Sequence, residues 1–167
     1  CPDPTVSATG CTALEAMTQA LDGEAEQVLA DFVRCVGDVL PTAEDVVTAV
    51  ADGRCYVGVT TEDLAMQAAA SGLSVPVIYP REGSVVQPDC AAIIADCAHE
   101  DNARAFIDFL LSGEVQERLT RQYRRTVFPP PGDASLPHAL AYDPYAAGAH
   151  QAETLDIWSS LTAEETP

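Results

Sequence analysis

Apolar positions recur along the chain with two different periods. Ala13, Leu14, Met17 and Leu21 form one helical stripe and predict a first helix over about Thr9–Leu21, ending at Asp22-Gly23. Val28, Leu29, Phe32, Val33 and Val36 line one face of a second, about Glu24–Val36, with Gly37 as its stop. Thr42 caps a third, with Asp45 at capping-box spacing, Val46, Val47 and Val50 inward and Gly53 at its end. A fourth runs from Asp63 to Ala70 and closes at Ser71-Gly72. Asp101 or Asn102 caps a fifth, with Ala105, Phe106, Phe109 and Leu110 as its inner face. Ser112-Gly113 breaks it from a sixth over Glu114–Tyr123, which carries Arg118, Arg121, Arg124 and Arg125 toward its C-terminal end. Leu155, Ile157, Trp158 and Leu161 predict a last amphipathic helix after about His150.

Short β-rich runs separate these helices. Arg54–Thr60 and Ser74–Tyr79 read as strands, the second marked by Pro76 as an edge or a strand start. Ala91–Ile94 reads as a short buried strand. Thr126–Phe128 is another, stopped by Pro129-Pro130-Pro131-Gly132. Alternating strands and helices predict an α/β fold with a mostly parallel sheet flanked by helices. Ligands in such folds sit beyond the carboxyl ends of the strands, where strand leads to helix.

Two strand-to-helix junctions are rich in hydroxyl groups. The first is Asp3–Gly10, where Pro2 and Pro4 disfavour helix upstream. Ser7 and Thr9 are good N-cap residues there, and Thr12 with Glu15 has capping-box spacing. Small residues at a helix start leave several N–H groups pointing at one spot, which favours an anion. The second junction is Thr60-Thr61-Glu62-Asp63. The candidate binding residues are therefore Ser7, Ala8, Thr9 and Gly10 with Thr60, Thr61, Glu62 and Asp63.

Composition narrows the function. The chain has 167 residues, 47% of them hydrophobic, enough for one good-sized core or two small lobes. Twenty-six acidic residues face eight basic ones, all Arg, for a net charge of −18. That charge repels nucleic acid and anionic membrane surfaces and fits a crowded or salty medium. No apolar run reaches transmembrane length, so no direct membrane insertion is expected. Without an initiating Met or charged leader, the opening Cys1-Pro2-Asp3 fits a mature fragment.

Six cysteines permit up to three disulfides; Cys90 with Cys97 and Cys11 with Cys35 are candidate pairs. No C-x-x-C pair and no finger-spaced His is present, so neither a metal site nor a cofactor is expected. His99 beside Glu100-Asp101 can be drawn as a dyad. Yet no Cys has a basic neighbour, and no G-x-S-x-G, P-loop or G-x-G-x-x-G occurs. These residues do not make an enzyme.

The motifs Asp3–Gly10, Ala51–Asp63, Val77–Gly83 and Ala103–Gln116, in that order, resemble the ABC-transporter solute-binding proteins of the ferric-iron-binding type. The resemblance implies the C-terminal half of a type II periplasmic binding protein, a fragment of a two-lobe fold. Residues 1–80 would form the second, ligand-binding lobe, 81–89 the crossover, and 90–167 the returning part of the first lobe. It implies an extracytoplasmic protein, periplasmic or at the cell surface, that delivers a small-molecule solute to a membrane permease. The same fold also serves ligand-sensing domains that signal to a receptor kinase. Ferric-binding members place adjacent tyrosines after the Val-Gly strand, where this chain has Thr60-Thr61-Glu62-Asp63. The resemblance therefore implies relatives that take small anionic or phosphorylated organic solutes. In these, Ser7, Thr9 and Gly10 would grip the anionic group, and Thr60–Asp63 would face the other end.

Overall fold

The computed structural model describes residues 1–21, 23–128 and 138–164. Among the described residues it has seven helices: α1 (Ala8–Ala20), α2 (Ala25–Val33), α3 (Ala43–Ala51), α4 (Glu62–Ala70), α5 (Glu100–Leu110), α6 (Gly113–Arg121) and α7 (Pro144–Glu164). The chain divides into two units, Cys1–Val86 with Leu136–Pro167, and Gln87–Ser135.

The expected parallel sheet is not there. Among the described residues there is no strand, only two isolated parallel bridges, Pro2 with Leu40 and Ser84 with Ala139. The α/β class therefore gives way to a helical architecture joined by extended segments. Residues 54–60, 74–79, 91–94 and 126–128, read as strands from their composition, form no ladder. The physical reason is that β propensity measures how a side chain fits a pleated surface already provided by neighbours. A β-rich run without a partner strand cannot satisfy its backbone in a sheet. Here the amides of Arg54 and Cys55 both turn back to the Ala49 carbonyl, at 2.9 and 3.2 Å, closing α3. Tyr56 and Val57 then lie exposed. The run still packs, because Gly58 approaches α3 so closely that an added Cβ would lie 2.6 Å from Val46 Cγ1.

The helices themselves follow the apolar stripes closely. In the first unit Leu14 of α1, Leu29 and Val33 of α2 and Trp158 of α7 form a buried cluster, with Phe32, Val36, Ile157 and Leu161 packed against it. Phe32 and Trp158 stack at a tilt of 35°, ring centroids 6.3 Å apart. Val46 and Ala49 of α3 and Ala65 of α4 are buried in their own pairing. Thr42 caps α3 as expected: its Oγ1 accepts from the Asp45 amide at 3.1 Å and donates to Asp45 Oδ2 at 2.7 Å. Gly53 follows at φ +72°, the left-handed conformation that a side chain would strain.

Ser7, one of the two expected caps, caps α1, and Thr12 and Glu15 lie within the helix. Two helix boundaries differ from expectation. His99 occupies the N-cap position of α5, without a side-chain capping bond, in place of Asp101 or Asn102. Most informative is α7, which begins at Pro144, well before His150. Asp143 Oδ1 accepts from the amides of Tyr145 and Ala146, at 2.9 and 3.1 Å. Asp143-Pro144 is an N-cap followed by Pro at the first helical position, a signal legible in the sequence. Gln19 ties that start to α1, donating to the Asp143 carbonyl at 3.1 Å and accepting from its amide at 2.8 Å.

In the second unit Ser112 separates α5 from α6 and accepts from the Val115 amide at 3.4 Å. Gln116, buried, donates to the Leu110 carbonyl at 2.9 Å and accepts from the Val127 amide at 3.2 Å. Phe106 and Phe109, expected inward, are exposed, while Ala103, Ile107 and Leu110 carry the half-buried face. Arg121 pairs with Glu117 at 2.6 Å, Arg124 with Asp89, and Arg104 with Glu100. The Pro129–Gly132 stop lies outside the described residues.

Candidate functional site

The first hydroxyl-rich junction is built on local turns. Asp3 Oδ1 accepts from the Thr5 amide at 2.9 Å and from the Thr5 hydroxyl at 2.7 Å. The Asp3 carbonyl accepts from the amides of Val6 and Ser7, at 3.3 and 2.8 Å. This turn aims the chain into α1, where Ser7 Oγ accepts from the Gly10 amide at 3.4 Å. Gly10 is buried, and a Cβ there would lie 2.5 Å from the Pro2 carbonyl oxygen and 2.9 Å from Pro4 N. Only glycine lets the first turn of α1 settle on the Pro2–Pro4 backbone. Thr9 is half-buried and Ala8 exposed. Among the described residues no acceptor receives the amides of Ala8 and Thr9.

The second junction starts α4. Thr60 Oγ1 donates to the Ala43 carbonyl at 3.2 Å. Thr61 is the N-cap residue, without a side-chain capping bond. Glu62 Oε1 accepts from the Tyr79 hydroxyl. Glu62 and Asp63 lie in the first turn of α4, and all four residues from Thr60 to Asp63 are half-buried.

Both junctions are tied to one short stretch, Leu40–Ala43. The Asp3 amide donates to the Leu40 carbonyl at 2.7 Å, and the Leu40 amide to the Cys1 carbonyl at 2.9 Å. Thr42 caps α3 within that stretch, and Thr60 bonds Ala43. The starts of α1, α3 and α4 are thus all anchored there. Their electrostatics differ. Glu44 and Asp45 sit in the first turn of α3, Glu62 and Asp63 in that of α4, and no acidic residue in that of α1. Carboxylates in a first turn offset the helix dipole and its unpaired amides. The α1 start keeps that partial positive charge.

No described group of His, Cys, Asp and Glu is arranged to hold a metal ion. The six cysteines are free thiols; neither Cys90 with Cys97 nor Cys11 with Cys35 is bonded. Cys11 Sγ instead accepts from Gln151 Nε2 at 3.2 Å. No described helix is long and apolar enough to cross a membrane.

Residues 1–148 match the family described as Bacterial extracellular solute-binding protein, and the chain belongs to that family. The match spans both hydroxyl-rich junctions and assigns the protein to the outside of the cytoplasm. Comparison with curated proteins and with solved structures gave no match.

Proposed function

We propose that this chain captures a small anionic or phosphorylated organic solute and serves as the solute-binding component of an ABC importer, handing its cargo to a membrane permease. Residues 1–80 carry the binding groups in this reading. The Ser7, Ala8, Thr9 and Gly10 turn holds the anionic end through the Ser7 and Thr9 hydroxyls and the Ala8 and Thr9 amides, while Gly10, whose amide donates to Ser7 Oγ, seats the turn on Pro2–Pro4. Thr60, Thr61, Glu62 and Asp63 take the other end, where a carboxylate accepts from hydroxyl or amine groups of the solute.

The observation that supports this is the state of the α1 start. Of the three helix starts tied to Leu40–Ala43, it alone has no first-turn carboxylate, and no acceptor among the described residues receives its Ala8 and Thr9 amides. The protein's −18 charge repels an anion at long range, so capture depends on these short-range donors. Calorimetric titration with inorganic phosphate and with glycerol phosphate tests the reading. Saturable binding that Ser7→Ala/Thr9→Ala weakens supports it, and binding indifferent to both substitutions removes it.

A further inference from the structure

The chain that leaves α4 returns one side chain to the second junction. Just past the helix the Leu73 amide donates to the Ala68 carbonyl at 3.1 Å. Val75 is buried, and the run continues through exposed Pro76 and Ile78 to Tyr79. The Tyr79 hydroxyl donates to Glu62 Oε1 in the first turn of α4, 17 residues earlier. The run is thus tied to the end of α4 through Leu73 and to its start through Tyr79.

The kind of donor that holds Glu62 matters chemically. A phenol is neutral, so it orients a carboxylate without cancelling its charge, whereas a guanidinium or ammonium would do both. A carboxylate offers about four lone-pair sites, so a bond from Tyr79 is compatible with a further donor from a solute. Glu62 and Tyr79 are both half-buried, where a hydrogen bond is electrostatically stronger than in bulk water. A Glu side chain has several rotatable bonds, and holding it in place beforehand removes an ordering cost from binding, worth about two- to tenfold in affinity. The hydroxyls next to Glu62 do not perform this task. Thr60 Oγ1 donates to the Ala43 carbonyl, and the Thr61 side chain makes no capping bond.

On the reading of Glu62 as a solute-binding group, we infer that Tyr79 is a positioning residue: it holds the Glu62 carboxylate in one orientation for a hydroxyl or amine donor at the far end of the solute. Its one hydroxyl proton goes to Glu62, so it acts through that carboxylate. The second junction then extends beyond Thr60–Asp63 to the end of the run 74–79.

Calorimetric titration of Tyr79→Phe, Glu62→Ala and the double variant, each with glycerol phosphate and with inorganic phosphate, tests this. Tyr79→Phe keeps the ring and removes only the hydroxyl. It should weaken glycerol phosphate about two- to tenfold and leave inorganic phosphate, which is held at the α1 start, unchanged. In Glu62→Ala no carboxylate remains to be held, so adding Tyr79→Phe should change glycerol phosphate affinity by about twofold or less. Tyr145→Phe, at an exposed position in the first turn of α7, should alter neither affinity. Equal losses for the two ligands, no loss in Tyr79→Phe, or an undiminished loss in the Glu62→Ala background overturns the inference. Glycerol phosphate binding that depends on Glu62 but not on Tyr79 removes the inference alone and leaves the binding site standing. A parent protein that binds no glycerol phosphate removes both.

Discussion

The starts of α1 and α4 draw on the same small set of residue types and end with opposite character. Both begin at hydroxyl residues after an extended segment, and both are tied to Leu40–Ala43. At α1 the hydroxyl of Ser7 is a working cap, the first turn is free of carboxylates, and a buried glycine seats it on backbone. At α4 the Thr61 side chain caps nothing, two carboxylates fill the first turn, and Glu62 is held by Tyr79. Hydroxyl content alone does not define an anion site. The charge in the first turn decides whether a helix start attracts an anion or neutralises itself.

The contrast is broken most severely at Gly10. Gly10→Ala drives a methyl against the Pro2 carbonyl oxygen and Pro4 N, which as backbone cannot swing aside. A loss at the upper end of the roughly 1–3 kcal/mol typical of overpacking, or beyond it, is expected in chemical denaturation. Gly58→Ala meets the Val46 and Val50 side chains, which can shift, and should cost less. Equal losses at the two glycines would show that the α1 start is not specially seated.

Ser7→Ala/Thr9→Ala should come next. If these hydroxyls hold a charged group, each lost bond is worth about 1.5–3 kcal/mol, about tenfold or more in phosphate affinity. Stability should fall by about 1 kcal/mol through the Ser7 cap. Thr61→Ala, which removes no capping bond, should leave the unfolding free energy within about 0.5 kcal/mol of the parent.

Glu62→Gln sharpens the comparison with a smaller effect. It keeps the shape of the α4 start and removes one charge. Affinity for glycerol phosphate, whose hydroxyls can donate to the carboxylate, should fall about tenfold or less, while inorganic phosphate should bind as well or slightly better. Equal losses for both ligands would mean that Glu62 only positions the segment.

Salt should give the smallest and most general change. Raising ionic strength from about 0.1 to 1 M shortens the screening length from about 10 to 3 Å and relieves the repulsion of the −18 charge. The melting temperature should rise by a few degrees in scanning calorimetry, and phosphate association should accelerate in stopped-flow mixing. A falling melting temperature would mean that attractive pairs, such as Arg104 with Glu100, outweigh the repulsion.

Helices were legible because their information is local. The stripes Leu14, Leu29 and Val33 became the core, and Thr42 with Asp45 made the expected cap. Asp143-Pro144 carried an equally local signal for α7, obscured by the loop-like composition around it. The site was legible as residue types, but the tie of both junctions to Leu40–Ala43 was not, because those hydrogen bonds join residues far apart in sequence. The burial of Glu15 was hidden for a related reason: within α1 alone Glu15 reads as a capping partner for Thr12, and its 3% exposure comes with the folded chain around it.

The sequence by itself determined the acidic surface, the helical stripes and the hydroxyl-rich turns, all set by side chains within a few residues of one another. Tertiary structure decided whether the β-rich runs became strands. They did not, since Arg54 and Cys55 close α3 and Gly58 packs on it without a partner strand alongside. It also decided which of three helix starts kept its charge unopposed, and that a carboxylate from α1 would be sealed beside α7 without a donor. Sheet pairing, site assembly and burial each require segments distant along the chain to meet, and the pattern of any one segment does not specify its partner.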